Sequence, residues 1–320
     1  MRLIAMTVVA SLLAAGCAVG SRDPVVTPTP DEVLAWVSGP DLPTPRTEVA
    51  AASAAGKIFV AGGFTGDGQP TDLVEVFDGE TWTSGPPLPE RLHHAALVGV
   101  GDRVLLLGGY RADGSASADV YMLEPDGWKP RRRMPVARGA HAAAVVNGVV
   151  HVVGGATGFS GRPTLLGSQH VYDPNGDVWA DAADLPEPRD HLAAASLGGF
   201  LYVIAGRRLS LDANLARVDV YDPHLATWTS APGLGVARGG FGATTWGDRI
   251  VVVGGERPDG TIAEVEALRA GQESWTRLPP LPTPTHGLGV VAFGTTLVAV
   301  AGGPQPGLSV SGAMRVLAPR

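Results

Sequence analysis

Arginine recurs at a fixed place in this chain. Arg46, Arg138, Arg189 and Arg238 each stand four residues after a leucine or methionine, at Leu42, Met134, Leu185 and Leu234; Arg91 comes one residue early after Leu88. Histidines follow closely, at His94, His141, His191 and His286. Guanidinium forks match carboxylates bidentately, so a convergent set of arginines could recognise an anionic group. Glu48, His141 and His191 add a carboxylate and two imidazoles, the groups that general acid–base chemistry uses, with Arg138 or Arg189 available to clamp a substrate carboxylate. The same arginines have a structural use, holding backbone carbonyls or the carboxylates of Asp41, Glu48, Glu90, Asp184, Glu187 and Asp190. For any single arginine that structural use is the stronger reading; the set as a whole is the candidate ligand-binding group.

The elements that position these residues follow from a repeat. Glycine doublets stand at 62, 108, 154, 254 and 302, with Ala205-Gly206 in the fourth copy, a drifting interval of nearly fifty residues that marks stacked units with variable loops. A second register is tighter: Trp36, Trp82, Trp128, Trp179, Trp228 and Trp275 are each followed six residues later by leucine or methionine. Each copy holds four short β-type runs bounded by turn residues, as in the third copy, where Asn147-Gly148 separates two apolar runs and His170-Val171-Tyr172-Asp173 leads toward Trp179. Such a unit is one blade of a propeller.

The glycine doublet, the tryptophan and a half-kept aromatic column (Phe77, Tyr172 and Tyr221, against Leu123, Leu268 and Leu317) resemble the kelch repeat over residues 34 to 318. The resemblance implies an all-β, six-bladed propeller. The tryptophans begin before the first doublet, so the strand around Trp36 is expected to join the C-terminal blade and close the ring, removing free edges.

Ahead of the propeller, residues 1–17 carry Arg2, an apolar stretch and Cys17, with the plan of a secretory signal whose end resembles a bacterial lipobox. Acylation of Cys17 would attach the chain to a membrane, at about 0.8 kcal/mol per buried methylene. Residues 18–33 read as a flexible linker and 34–320 as the propeller. The expected location is therefore the cell envelope, exported and lipid-anchored. A net charge of -7 gives no reason to expect nucleic acid as a partner.

Naming the strands of a blade a to d from the axis outward puts the d–a and b–c loops on one face and the short a–b and c–d turns on the other. The b–c loops are the longer ones, and long loops on a rigid scaffold are where binding groups sit. The arginines start strand a on that face. His94, His141 and His191 come from different blades without a one-blade ligand spacing, so neither metal nor cofactor is expected. Trp246, outside the tryptophan column, reads as a packing residue. Galactose oxidase, a kelch enzyme, needs a cysteine cross-linked beside copper; Cys17 is the only cysteine and lies outside the propeller, so that chemistry is excluded. The expected function is a non-catalytic protein- or carbohydrate-binding module. The alternative is a sugar mutarotase or epimerase similar to the periplasmic N-acetylneuraminate epimerases, acting through Glu48, His141 and His191.

Overall fold

A computed structural model describes residues 33–319. Cys17, the export signal and all of the linker but Val33 lie outside the described residues. The described chain forms six four-stranded antiparallel sheets, each with its strands in the order a-b-c-d. Blade three shows why. Ala142–Val146 and Val149–Val153 are joined by Asn147-Gly148, both at positive φ (51° and 83°), the geometry of a two-residue hairpin turn whose twist suits right-twisted strands. Gln169–Asp173 and Val178–Ala182 complete the sheet.

Small side chains dominate the inner strands, as in Ala142-Ala143-Ala144 and Ala193-Ala194-Ala195, because six strands must crowd round one axis. Between blades the core is larger. Ala144 and Val146 of blade three pack with Leu201, Val203 and Tyr221 of blade four, and the other blade pairs repeat the arrangement.

The ring closes as the sequence implies. Leu34–Ser38 pairs with Met314–Pro319, placing Trp36 opposite Leu317, and becomes the outer strand of the blade whose inner strands are Gly289–Phe293 and Thr296–Val300. Each column tryptophan also donates its indole N–H to a carbonyl of the preceding blade: Trp36 to Pro279, Trp82 to Pro40, Trp128 to Pro86, Trp179 to Arg132, Trp228 to Ala183 and Trp275 to Pro232, at 2.8–2.9 Å. The constant position of tryptophan is thus a blade-to-blade hydrogen bond repeated round the rim. Trp246 is buried in the core and donates to the Thr295 carbonyl.

The glycine doublets make a second blade-to-blade bond. The N–H of Gly63 donates to Leu92 O, Gly109 to Arg138 O, Gly155 to Arg189 O, Gly206 to Arg238 O, and Gly255 to Thr285 O. A Cβ on Gly62 would lie 2.5 Å from the Leu92 oxygen, which no side chain allows. In blade six the donor to Arg46 O is Gly302, so the structural doublet there is Ala301-Gly302, both at positive φ, and the visible Gly302-Gly303 pair is offset by one residue.

Closure by the N-terminal strand has a direct test. Deleting residues 31–40 removes Trp36, its bond to Pro279 and the cover over the third strand of blade six, so the melting temperature should drop by ~10 °C or more. An unchanged melting temperature would contradict this closure.

Candidate functional site

The four column arginines turn away from the axis. Arg46, Arg138, Arg189 and Arg238 are 0% exposed, and each reaches outward across its own blade to carbonyls at the end of strand b or the start of strand c. Three end on a third-strand carboxylate of the same blade: Arg46 on Glu75 at 2.7 Å, Arg189 on Asp219 at 2.9 Å and Arg238 on Glu266. Arg138 lacks such a carboxylate and instead donates to Ser168 Oγ at 2.8 Å and His170 Nδ1 at 3.0 Å. The carboxylate partners stand on the third strand, none of them among the acidic residues near the arginines in sequence; Glu187 serves Arg189 only through its backbone carbonyl, at 3.0 Å. Arg91, one residue out of register, is exposed, and Leu92 occupies the buried column position. Four of the five arginines expected to bind a ligand are therefore braces inside the blades.

What lines the mouth instead is a column two residues further on: Glu48, His94, Ala140, His191, Gly240 and Gly287. All six have left-handed backbone, with φ of 54°, 52°, 49°, 50°, 62° and 60°. Their peptide groups form a closed belt around the axis. His94 N donates to Glu48 O (3.2 Å), Ala140 N to His94 O (2.9 Å), His191 N to Ala140 O (2.9 Å), Gly240 N to His191 O (3.3 Å) and Gly287 N to Gly240 O (2.7 Å). Val49 N, one residue along, closes it on Gly287 O at 3.3 Å. A non-glycine residue in this conformation costs on the order of 1–2 kcal/mol, and each belt bond returns ~1 kcal/mol net. The left-handed turn also sends the side chains of this column into the mouth.

There they meet two neighbouring columns. Glu48 Oε2 lies 3.1 Å from His94 Nε2, and Glu48 Oε1 lies 3.2 Å from His286 Nδ1. Glu256, which follows the fifth doublet, is 3.5 Å from the same His286 nitrogen and is held on its other oxygen by Arg207 at 2.9 Å. His191 donates through Nδ1 to Asp190 at 2.7 Å. The Nδ1 atoms of His93 and His94 lie 2.6 Å apart, so one of them carries a proton and the other accepts it. Around the imidazole pair stand Phe64, Tyr110 and Phe159, with Phe159 ring centroids 4.8 Å and 5.3 Å from His93 and His94.

The electrostatics follow from this packing. Burial pushes the Glu48 carboxyl up, but the imidazoles of His94 and His286 outweigh it and hold the group below the usual carboxylate range. Burial also pulls His286 down, and Glu48 and Glu256 reverse the sign, leaving it raised. Burial drives His94 well below its ordinary value and His93 to about 4, so both are neutral near pH 7. Glu48, His94 and His191 line a small cavity of about 100 Å³, and the inner strands line a separate channel space of about 220 Å³.

Of the three acid–base candidates, Glu48 and His191 belong to the belt column and His141 lies one position beyond it; all three line the mouth cavity. His141 packs toward the preceding blade, where a Cβ on Gly108 would meet its ring at 3.1 Å; burial and the Arg138 charge bring it to about 3. Glu256, Tyr110 and the aromatic groups went unseen in the sequence reading, although each aligns one residue after a doublet or on a b–c loop.

The Kelch motif family model matches residues 45–89, the first blade. Over 71 residues the chain is 44% identical to Kelch-like protein 35 of Homo sapiens, covering 22% of this chain and 12% of that protein. Over 87 residues it is 40% identical to an F-box/kelch-repeat protein of Arabidopsis thaliana, covering 27% and 22% respectively. Among solved structures, that of YjhT superposes with a TM-score of 0.73 over 86% of this chain and 95% of its own, at 15% identity, a likeness of fold.

The chain is a six-bladed β-propeller whose first blade carries a kelch motif. The matched stretch spans less than a quarter of the length of each of these two curated relatives. In kelch terms, the motif residues of this propeller account for the blade scaffold, while the belt column and the residues after the doublets make the mouth.

The bracing arginines differ in a way that can be measured. Arg46→Met and Arg238→Met each leave a buried carboxylate, Glu75 or Glu266, without its guanidinium and should cost ~3–5 kcal/mol. Arg138→Met strands no carboxylate and should cost less. The double change Arg238→Met with Glu266→Leu should recover much of the loss. Equal destabilisation in all three single variants by denaturant titration would contradict this division.

Proposed function

We propose that this kelch propeller is an exported binding module, anchored to the envelope through acylated Cys17, that engages a protein or glycan with the face carrying the d–a and b–c loops. One observation carries the reading: Phe159, 47% exposed on the third b–c loop, lies over the aromatic and imidazole group at the mouth. Leu209 and Leu308 stand exposed on the fourth and sixth b–c loops. An apolar rim around a hydrogen-bonding floor suits a ligand that is apolar on one side and polar on the other.

Cavity size favours a ligand resting on this rim. Pockets that enclose a small molecule are on the order of 300–1,000 Å³, and the mouth cavity is about 100 Å³. The second reading, a sugar mutarotase, has its own observation in the Glu48 carboxylate between His94 and His286.

The two readings separate in one set of experiments. The chain is screened against glycans and cross-linked in intact cells, with NMR of anomeric exchange run on each sugar sample. The module reading expects capture of a ligand that falls at least tenfold when Phe159, Leu209 and Leu308 are replaced by serine, without faster anomeric exchange. Faster exchange of one sugar, abolished by Glu48→Gln, would replace it with the mutarotase. Capture that ignores the three rim substitutions would contradict use of this face.

A further inference from the structure

The floor of the mouth has the makings of a metal site, and we infer that Glu48, Glu256 and His286 bind one first-row divalent transition cation of the zinc type. The three residues come from blades one, five and six, and one ligand atom of each lies within 4.8 Å of the others. The inference is independent of whether the outer rim takes a protein or a glycan.

Two observations point to a ligand there. First, His286 is 1% exposed, and neither of its ring nitrogens makes a well-aligned hydrogen bond. Its Nδ1 nevertheless sits 3.2 Å from Glu48 Oε1 and 3.5 Å from Glu256 Oε2. Tetrahedral ligands at about 2.1 Å from a zinc ion are about 3.4 Å apart, so both spacings already match, and only the approach of the two carboxylates has to tighten.

Second, the outer groups are arranged as they are around metal ligands. Glu48 has its far oxygen held by His94 at 3.1 Å, and Glu256 has its far oxygen held by Arg207 at 2.9 Å. Each carboxylate is thereby turned so that the other oxygen faces His286, and such orienting partners are a regular part of metal centres. The remaining contact on that side is the Gly307 N–H, 3.4 Å from Glu256 Oε2.

Charge agrees: three acidic side chains, Glu48, Glu256 and Asp190, stand against the one guanidinium of Arg207, an acidic excess that a cation would offset. One imidazole with two carboxylates selects zinc, manganese or iron over calcium, which takes six to eight oxygens. The rival occupant is a proton on His286 Nδ1, which would bridge the two carboxylates without any metal.

Equilibrium dialysis of the full chain against Zn²⁺, with Ca²⁺ in parallel, followed by elemental analysis decides between them. We expect one Zn²⁺ retained per chain, no Ca²⁺, and affinity at least tenfold weaker in His286→Ala and in Glu256→Gln, while His224→Ala, on the exposed surface, changes nothing. Should the buried variants fail to fold, the wild-type chain loaded with Co²⁺ still reports: intense visible absorption from a low-coordinate nitrogen and oxygen site is expected. No retained Zn²⁺, retention unchanged in folded His286→Ala, or only the weak bands of hydrated Co²⁺ would overturn the inference.

Discussion

Six peptide groups hydrogen-bonded in a circle are the constraint on which the mouth of this propeller depends. Strand a of each blade is preceded by one left-handed residue, and that conformation turns the peptide so that it bonds along the circumference. Without the belt, the strands would enter the ring with their first amides facing the channel and their first side chains alternating in the ordinary way. With it, Glu48, His94 and His191 are held at the mouth, which becomes a charged floor on a channel lined by small side chains, alanine and valine foremost.

The remaining blade-to-blade bonds lie farther out. The doublet amides bond to the next blade beside the belt, and the tryptophan indoles bond to the preceding blade at the rim. The arginines serve a different purpose, tying the entry of strand a to strands b and c of its own blade. Stiffness within blades and adhesion between them are therefore carried by different residue columns. This separation explains how the b–c loops can vary in length and content without disturbing the ring, as the short 3₁₀ turn Leu211–Ala213 and the two-stranded hairpin in the fifth loop illustrate.

Much of the fold was legible in the residues because its motifs are backbone requirements. The doublet recurs because its two residues take left-handed backbone, which glycine adopts most readily and alanine takes only at Ala205 and Ala301, and tryptophan recurs where an indole must span a gap between blades. The mouth was less legible. Strand alternation places residues four and six positions after the column leucine on the same side, so Arg46 and Glu48 read as neighbours facing the channel. The left-handed residue breaks that alternation, sending Arg46 outward while Glu48 stays at the axis. The glycines at 240 and 287, in the column of Glu48 and His94, were the signal of that conformation. Glu256 and His286 could not be paired from sequence, since contact between blades five, six and one depends on ring geometry.

Amide hydrogen exchange resolved to single residues tests the belt most directly. If the circle of peptide bonds fixes the mouth, the amides of His94, Ala140, His191 and Gly240 exchange as slowly as those of the strand a residues beneath them, through opening of the whole ring. The tips of the b–c loops exchange far faster. Exchange of those four amides at the rate of the loop tips would contradict the account.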